Sequence, residues 1–346
     1  MIAGEMYTAL AFEAYLCNGE SIMISVSSIY QTHNRIRPYV LCTPLVPALS
    51  LSNSQREVRL KLESMQTTGA FKLRGAVNAV SQLSSDQLRR GVVCASTGNH
   101  GRALAYAAQL FKCRATICMS SLVPQNKLEA IKALGADIRI HGNSQDDAQE
   151  LVEVLVQEQG MTEIPPFDHA DIIAGQGTIG LEILQEWPEV DTILVGLSGG
   201  GLLSGIALAA KTINPEIRVL GISPERGAAM AASVQAGRET EVEELPTLAD
   251  SLGGGIGTNN RYTFSLTQQL LDQVVLLSES QIAAGMRHLF WQEKLVTEGA
   301  AAVGAAVLID NELTRQYADL IGQNIAIIVS GQNVDMHQFM QLVNES

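Results

Sequence analysis

The chain has 346 residues, of which 46% are hydrophobic and 17% are charged, and a formal net charge of −13. This length predicts two domains, and the composition is typical of a globular protein without long disordered tracts. The negative charge argues against nucleic acid or an anionic membrane surface as a main partner, because both repel an acidic protein.

The cysteines and the start of the chain indicate the cellular compartment. The five cysteines include no C-x-x-C pair, which is typical of free thiols in a reducing compartment. Residues 1–22 contain no Lys or Arg, unlike a signal peptide, and no apolar run is long enough to span a bilayer. We therefore predict a cytoplasmic protein in which residues 1–22 form an extension of uncertain role.

Short β-branched runs alternate with helical patterns along most of the chain. The predicted strands are residues 58–62, 91–96, 115–119, 137–140, 192–197, 218–223 and 325–330. The predicted helices are residues 126–134, 144–157, 175–185, 202–213 and 280–294. This alternation predicts an α/β fold in which parallel or mixed sheets carry helices on both faces. Small molecules bind such folds at the carboxyl ends of strands, where loops lead into helices.

The segment that follows the first predicted strand carries a lysine in an apolar setting. Its sequence, KLESMQTTGAFKLRGA (residues 61–76), places Lys72 between Phe71 and Leu73. Apolar surroundings lower the pKa of a lysine and leave its amine free to form an imine. Taken alone, however, the pattern favours a surface lysine in the first turn of a helix.

The segment STGNHG joins the strand at 91–96 to a helix. Backbone N–H groups at this helix start could bind a substrate carboxylate, and the Asn99 amide could donate to a phenolate oxygen. His100 could act as a base, although a structural histidine at a turn is the favoured interpretation. The candidate substrate-binding residues are Ser96, Thr97, Gly98 and His100.

The segment SGGGLLSG (residues 198–205) follows the strand at 192–197. Three consecutive glycines before a helix let backbone N–H groups converge on a phosphate at the positive end of the helix dipole. The segment lacks the G-K-[ST] ending of a Walker loop and the G-x-G-x-x-G pattern of dinucleotide-binding proteins. It therefore predicts a site for a phosphate without a nucleotide, with a plain strand-to-helix turn as the alternative.

The last strand leads into SGQNVD (residues 330–335), where Ser330 presents a hydroxyl at the same edge of the sheet. A lone serine in such a place usually caps a helix, so this signal is weak by itself. A phosphate cup, a lysine, an amide and a hydroxyl at strand ends together match the polar groups of one cofactor, pyridoxal phosphate.

The motif K-x-E-x-x-Q-x-T-G-A-F-K-x-R-G-A is complete in residues 61–76. With it the chain resembles the fold-type II, tryptophan-synthase-β-like pyridoxal-phosphate enzymes, which include serine and threonine dehydratases and serine racemase. The resemblance extends from about residue 29 to the carboxyl terminus. It implies that Lys72 is the catalytic residue and forms the covalent link to the cofactor. The cofactor-binding residues that it implies are Phe71, Lys72, Asn99, Gly199, Gly200, Gly201, Leu202 and Ser330.

The resemblance also implies the reaction, which is loss of water and then ammonia from a small β-hydroxy amino acid of the L-threonine or L-serine type. A neutral hydroxyl such as that of Ser330 leaves the pyridine nitrogen largely unprotonated, which favours prompt loss of a β-substituent over transamination. Thr97 stands where serine racemases carry a serine as the second base, so racemisation is disfavoured. The segment SPERGAAMAA (residues 223–232) lacks the acidic metal ligands of racemases in register, and we predict no bound metal.

Two further segments, DSLGGGIG and VTEGAAAVGAA, are similar to the dehydratase of bacterial hydroxyectoine utilisation. Its substrate class is 3-hydroxyaspartate or a hydroxylated diaminobutyrate derivative, which is an alternative to threonine. Arg102 stands where threonine and serine dehydratases often carry Gln or Ala. It could bind a second carboxylate, although a solvent-facing position is favoured. Glu298 could lie near the cofactor ring or stabilise its helix start, and both interpretations stay open.

For domain organisation, the resemblance implies a large cofactor domain built from residues 23–90 and 169–346. Residues 91–168 would form a small inserted domain that carries the asparagine loop and closes on the substrate. It also implies a homodimer or homotetramer. Two other classes of function compete with this reading: an oxidoreductase that binds a nucleotide at the glycine run, and a catalytically silent binding protein.

Overall fold

A computed structural model describes residues 15–17, 20–96, 98–123, 125–257 and 259–344. Thr97 and most of residues 1–22 lie outside the described residues, so the predictions for them stay predictions. The strands are β1 (Tyr15–Cys17), β2 (Glu20–Ile24), β3 (Leu45–Pro47), β4 (Glu57–Lys61), β5 (Val92–Ala95), β6 (Ala115–Met119), β7 (Asp137–Ile140), β8 (Thr162–Glu163), β9 (Thr192–Gly196), β10 (Arg218–Pro224), β11 (Gln273–Leu277) and β12 (Asn324–Ile328). The helices are α1 (Val26–Ile36), α2 (Lys72–Ser81), α3 (Ser85–Arg90), α4 (Asn99–Leu110), α5 (Gln125–Lys132), α6 (Gln145–Gln159), α7 (Ala170–Glu186), α8 (Gly201–Ile213), α9 (Ala229–Ala236), α10 (Thr263–Leu270), α11 (Glu279–Trp291), α12 (Gly299–Ile309), α13 (Asn311–Gln316) and α14 (Met336–Asn344).

The larger sheet is mixed and has the strand order β11-β10-β9-β12-β4-β3. Its strands run parallel except for β3, which pairs antiparallel with β4. All five residues of β9 are buried, as expected for a parallel strand that is covered by helices on both faces. Because β4 and β12 are neighbours, this sheet combines an early and a late part of the chain.

The smaller sheet is entirely parallel, with the order β7-β6-β5-β8, and uses only residues between 92 and 163. A two-stranded sheet of β1 and β2 stands apart from both. The predicted α/β fold with two parallel or mixed sheets is therefore confirmed, and the structure has one of each kind. The division into domains at residues 91 and 168 stays a prediction.

Helix α7 fixes the positions of two helices that begin at the predicted site. It packs against both α2 and α8, and it is buried from Ile172 to Leu184. A side chain at Gly205 would clash with α7, because its Cβ would lie 2.4 Å from the Ile173 carbonyl oxygen. This close packing holds the start of α8 and the start of α2 at the same end of α7. None of the described helices is long and apolar enough to cross a membrane.

Candidate active site

The predicted site residues converge on one cavity of about 450 Å³ at the carboxyl ends of β5, β9 and β12. This volume suits a small molecule of the size of a cofactor with its substrate. Thr97 is the one predicted site residue outside the described part of the chain. The cavity is lined by every other predicted site residue, which are Phe71, Lys72, Ser96, Gly98, Asn99, His100, Gly199, Gly200, Gly201, Leu202 and Ser330.

Lys72 is the first residue of α2, and its side chain lies in the cavity wall. Its Nζ donates to the Pro166 carbonyl oxygen at 2.6 Å and lies 5.2 Å from the centre of the Phe71 ring. Burial lowers the pKa of Lys72 to about 8, and the nearby Glu298 carboxylate opposes this shift in part. About one tenth of such amines are neutral at pH 7, so the group can act as a nucleophile or a base.

The other charged residues of the lysine motif form a buried ion-pair network beneath α2. Arg74 donates to Glu63 from Nε and Nη2, both at 2.8 Å, and from Nη1 to Glu182 at 2.6 Å. Lys61 donates to the second oxygen of Glu182, also at 2.6 Å. Burial opposes ionisation of Glu182, yet Arg74 and Lys61 hold its pKa below the ordinary value. The network joins β4, α2 and α7, so these motif residues position Lys72 without lining the cavity.

The glycine run forms a tight turn from β9 into α8. Gly200 has a φ of +84°, which favours glycine. A Cβ on Gly199 would lie 2.4 Å from the Phe167 ring, so a side chain has no room there. Among the described residues, no side chain caps the first turn of α8, and this turn lines the cavity. The turn therefore offers backbone N–H groups and the positive end of a helix to an anion, which fits a phosphate group.

Asn99 begins α4 and belongs to a hydrogen-bonded row of side chains. Its Nδ2 donates to both carboxylate oxygens of Glu298, at 2.8 and 3.1 Å, and its Oδ1 accepts from Asn333 Nδ2 at 2.6 Å. Arg102 Nη1 donates to Asn333 Oδ1 at 2.8 Å. Glu298 itself is buried and lines the cavity. Arg102 is not among the described residues that line it.

His100 is buried, and its Nε2 lies 2.7 Å from the Ile164 carbonyl oxygen. Burial and the nearby Lys72 lower the pKa of His100 to about 3, so the ring is neutral at pH 7 and donates to Ile164. This favours the structural interpretation of His100 over the base. Ser96 Oγ accepts from the Gly101 N–H at 3.2 Å and so stabilises the start of α4.

Ser330 follows β12 and is 4% exposed. Its carbonyl oxygen accepts from the Phe71 N–H at 3.0 Å, which ties the end of β12 to the residue before Lys72. The hydroxyl of Ser330 and the amine of Lys72 therefore belong to neighbouring chain segments of one cavity wall.

Sequence reasoning missed several residues of this site. Pro166 and Phe167 belong to no recognisable motif. Pro166 accepts from Lys72 through its backbone carbonyl oxygen, and Phe167 packs its ring against Gly199. Asn333 lies inside the segment SGQNVD, so its amide could have been noticed beside Ser330. The glycine-rich loop at 253–257, seen only as a mark of one enzyme branch, lines the cavity at Gly253, Gly254, Gly255 and Gly257.

No group of three or more potential metal-ligating side chains lies within the described residues. The expected absence of a metal stays a prediction.

Comparisons with known proteins agree with the geometry of the site, in which an amine and an anion-binding turn line one cavity. A family model described as pyridoxal-phosphate dependent enzyme matches residues 36–331. A protein of Sinorhizobium fredii named "Putative threonine dehydratase" is 51% identical over 322 residues, which cover 93% of this chain and 96% of that protein. The L-threonine ammonia-lyase of Thermotoga maritima is 38% identical over 324 residues, which cover 93% of this chain and 79% of that enzyme. The structure of maize serine racemase superposes with a TM-score of 0.86 and 36% identity, covering 91% of this chain and 95% of the racemase.

Proposed function

The chain belongs to the family of pyridoxal-phosphate dependent enzymes, and on this basis we propose that it is an ammonia-lyase for a small β-hydroxy amino acid. The substrate would be of the L-threonine or L-serine type, and the products would be a 2-oxo acid and ammonia. The observation that carries the proposal is that the Lys72 amine and the uncapped first turn of α8 line the same cavity.

The residues of the cavity divide into groups that suit the separate parts of pyridoxal phosphate. Gly199 to Leu202 would hold the phosphate through backbone N–H groups. Asn99 would donate to the ring hydroxyl oxygen, Phe71 would lie against the cofactor, and Ser330 would face the pyridine nitrogen. When bound, pyridoxal phosphate withdraws electrons from the substrate α-carbon, which makes the α-proton acidic and lets a β-substituent leave.

Lys72 supplies two functions in this reaction. Its lowered pKa keeps a useful fraction of the amine neutral, so Nζ can form the covalent link to the cofactor. When Nζ is not linked to the cofactor, it would accept the substrate α-proton and later return one. The segment that leads into α4 lines the cavity at Ser96 and Gly98, and the first backbone N–H groups of α4 would bind the substrate carboxylate.

The direct test is release of 2-oxo acid and ammonia from L-threonine, L-serine and threo-3-hydroxyaspartate by the purified, cofactor-loaded protein. We expect turnover of threonine or serine, with both products formed in equal amounts. Lys72→Ala should abolish the visible absorbance of the covalently held cofactor and the turnover together. Lys132→Ala, which changes an exposed lysine at the end of α5, is the matched control and should keep both. Normal turnover in Lys72→Ala would refute the assignment of Lys72 as the catalytic residue.

The hydroxyectoine branch is the narrower alternative, and the same assay addresses it. Strong preference for threo-3-hydroxyaspartate with poor use of threonine would favour that branch. Its predicted substrate ligand, Arg102, donates to Asn333 and is not among the described lining residues, so this contact gives the alternative no support.

The remaining alternatives have separate signatures. A serine racemase would convert L-serine into D-serine faster than into pyruvate, and a nucleotide-dependent oxidoreductase would bind NAD rather than a yellow cofactor. A silent binding protein would take up the cofactor and release neither product. The homodimer or homotetramer and the cytoplasmic location stay predictions, and sedimentation of the purified protein would measure the former.

A further inference from the structure

The carboxamides of Asn99 and Asn333 stand in a row between a cation and an anion. Arg102 lies at one end and donates to Asn333 Oδ1, and Glu298 lies at the other end and accepts from Asn99 Nδ2. Between them, Asn333 Nδ2 donates to Asn99 Oδ1. Every hydrogen bond in the row therefore runs in the same direction, from the guanidinium toward the carboxylate.

This direction follows from donor and acceptor chemistry. A carboxamide can flip by half a turn and exchange its donor and acceptor ends, whereas a guanidinium can only donate. Arg102 therefore requires the oxygen of Asn333, which turns the nitrogen of Asn333 toward Asn99. Asn99 must then present its oxygen to Asn333 and its nitrogen to Glu298. The Glu298 carboxylate, which only accepts, requires the same orientation of Asn99 from the other end of the row.

Other contacts of Asn333 stabilise the same orientation of its amide. Its Nδ2 also donates to the Thr68 carbonyl oxygen at 2.9 Å, so both of its N–H bonds have acceptors. A flip would place the amide oxygen against two other oxygens. Room for the amide comes from Gly69, where a Cβ would lie 2.6 Å from Asn333 Oδ1. Asn333 is thus held in one orientation by contacts on three sides.

We propose that Arg102 and Asn333 are positioning residues that fix the Asn99 amide with its nitrogen as donor toward the cofactor. The inference rests on the proposed function, in which Asn99 donates to the ring hydroxyl oxygen. A fixed donor stabilises the anionic form of that oxygen, whereas a flipped amide would set its own oxygen against it. In this role Arg102, which is partly buried, acts on the site through its hydrogen bond to Asn333.

The decisive variant is Asn333→Asp, which keeps the size of the side chain and removes its donor. The aspartate carboxylate can accept from Arg102 and from Asn99 Nδ2. It therefore favours the flipped orientation of Asn99, in which the amide nitrogen points toward residue 333. We expect the apparent pKa of the bound cofactor, read from a pH titration of its visible absorbance, to rise by about one unit. We also expect kcat for threonine to fall about tenfold or more, with KM changed by less than about threefold, because the substrate carboxylate is held elsewhere.

Arg102 provides the matched pair of variants. Arg102→Met removes the donor and keeps much of the apolar stem, and it should shift the cofactor titration in the same direction as Asn333→Asp. Arg102→Lys keeps a donor-only group and should return the titration to that of the parent protein. Far-UV circular dichroism and the thermal midpoint of each variant record whether it folds. If Asn333→Asp does not fold, the comparison of Arg102→Met with Arg102→Lys carries the test alone.

The outcomes separate this inference from the proposed function. A parent protein that binds no pyridoxal phosphate overturns both. A parent protein that binds the cofactor and turns over threonine, with unchanged titrations in folded Asn333→Asp and Arg102→Met, overturns only the positioning role. If the cofactor titration of Arg102→Lys is shifted as far as that of Arg102→Met, the positioning role is also overturned. A donor group at residue 102 would then have no effect on the cofactor. Parent-like titration in Arg102→Lys alone, with shifts in the others, supports it.

Discussion

Replacing Arg74 by methionine tests whether the charged letters of the lysine motif act through a buried ion-pair network. Arg74 is fully buried and holds two carboxylates, Glu63 and Glu182, at 2.6 to 2.8 Å. Arg74→Met fills most of the space but leaves these two buried carboxylates with Lys61 as their remaining network cation. The variant therefore isolates the charge of Arg74 from its packing.

The expected destabilisation is large. Removing one partner of a buried ion pair costs about 3–5 kcal/mol, because the remaining charge stays desolvated without compensation. That is a large part of a typical unfolding free energy of about 5–15 kcal/mol. The folded variant can relieve the excess negative charge only by binding a proton. The destabilisation should therefore be greatest at neutral pH and decrease as the pH falls.

The assay is urea denaturation of Arg74→Met and of the parent protein, followed by both circular dichroism and tryptophan fluorescence. Coincidence of the two signals tests the two-state assumption on which a free energy depends. Arg89→Met is the matched control, because Arg89 pairs with Asp86 on the surface and the two side chains are 71% and 64% exposed. We expect the control to lose less than about 1 kcal/mol.

A loss below about 1 kcal/mol in Arg74→Met, equal to that of the control, would refute the reasoning. It would mean that the packing of β4, α2 and α7 carries the stability and that the ion pairs contribute nothing net. A loss that does not decrease at lower pH would refute the electrostatic origin while leaving the network structurally important.

The remaining predictions concern the cofactor and the pH dependence of the fold. The rate at which the apoenzyme reacts with pyridoxal phosphate should rise about tenfold with each pH unit up to pH 8 and little above it, since only the neutral Lys72 amine attacks. A stopped-flow rate independent of pH would contradict this. Gly199→Ala should weaken cofactor binding about tenfold or more, because its Cβ would lie 2.4 Å from Phe167, whereas Gly255→Ala, with its nearest atom at 3.9 Å, should change it by less than about twofold in a fluorescence titration. The depressed pKa of Glu182 predicts that the stability from its ion pairs is present above its ordinary value of 4.5 and is lost as the pH falls below it. An acid-unfolding curve of Glu182→Gln that is as steep as that of the parent protein would argue against this.

Much of the site could be read from the sequence because its signals are local. The glycine run, the lysine motif and the strand-end residues Asn99 and Ser330 each lie in a few consecutive residues. Alternation of strands and helices then places the carboxyl ends of parallel strands at one edge, so these segments were expected to meet. Residues from each of these segments line the cavity.

Hydrophobic periodicity does not predict a helix that has no exposed face. Helix α12 has the sequence GAAAVGAAVLI, and its residues are buried from Gly299 to Leu308. Such a helix carries no polar stripe, and hydrophobic patterning therefore cannot mark it. The sequence predicted Glu298 at a helix start, whereas its hydrogen bonds with Asn99 followed only from the packed structure.

The amino-acid sequence by itself determined the class of fold and the chemical groups of the site, because residue types and their short-range spacing carry that information. Only the tertiary structure decided which distant side chains share hydrogen bonds. Arg102 and Asn333 are 231 positions apart, and Asn99 and Glu298 are 199 apart. Their contact depends on how α4, α12 and the end of β12 pack together, and the direction of each amide depends on whether its partner can donate or only accept.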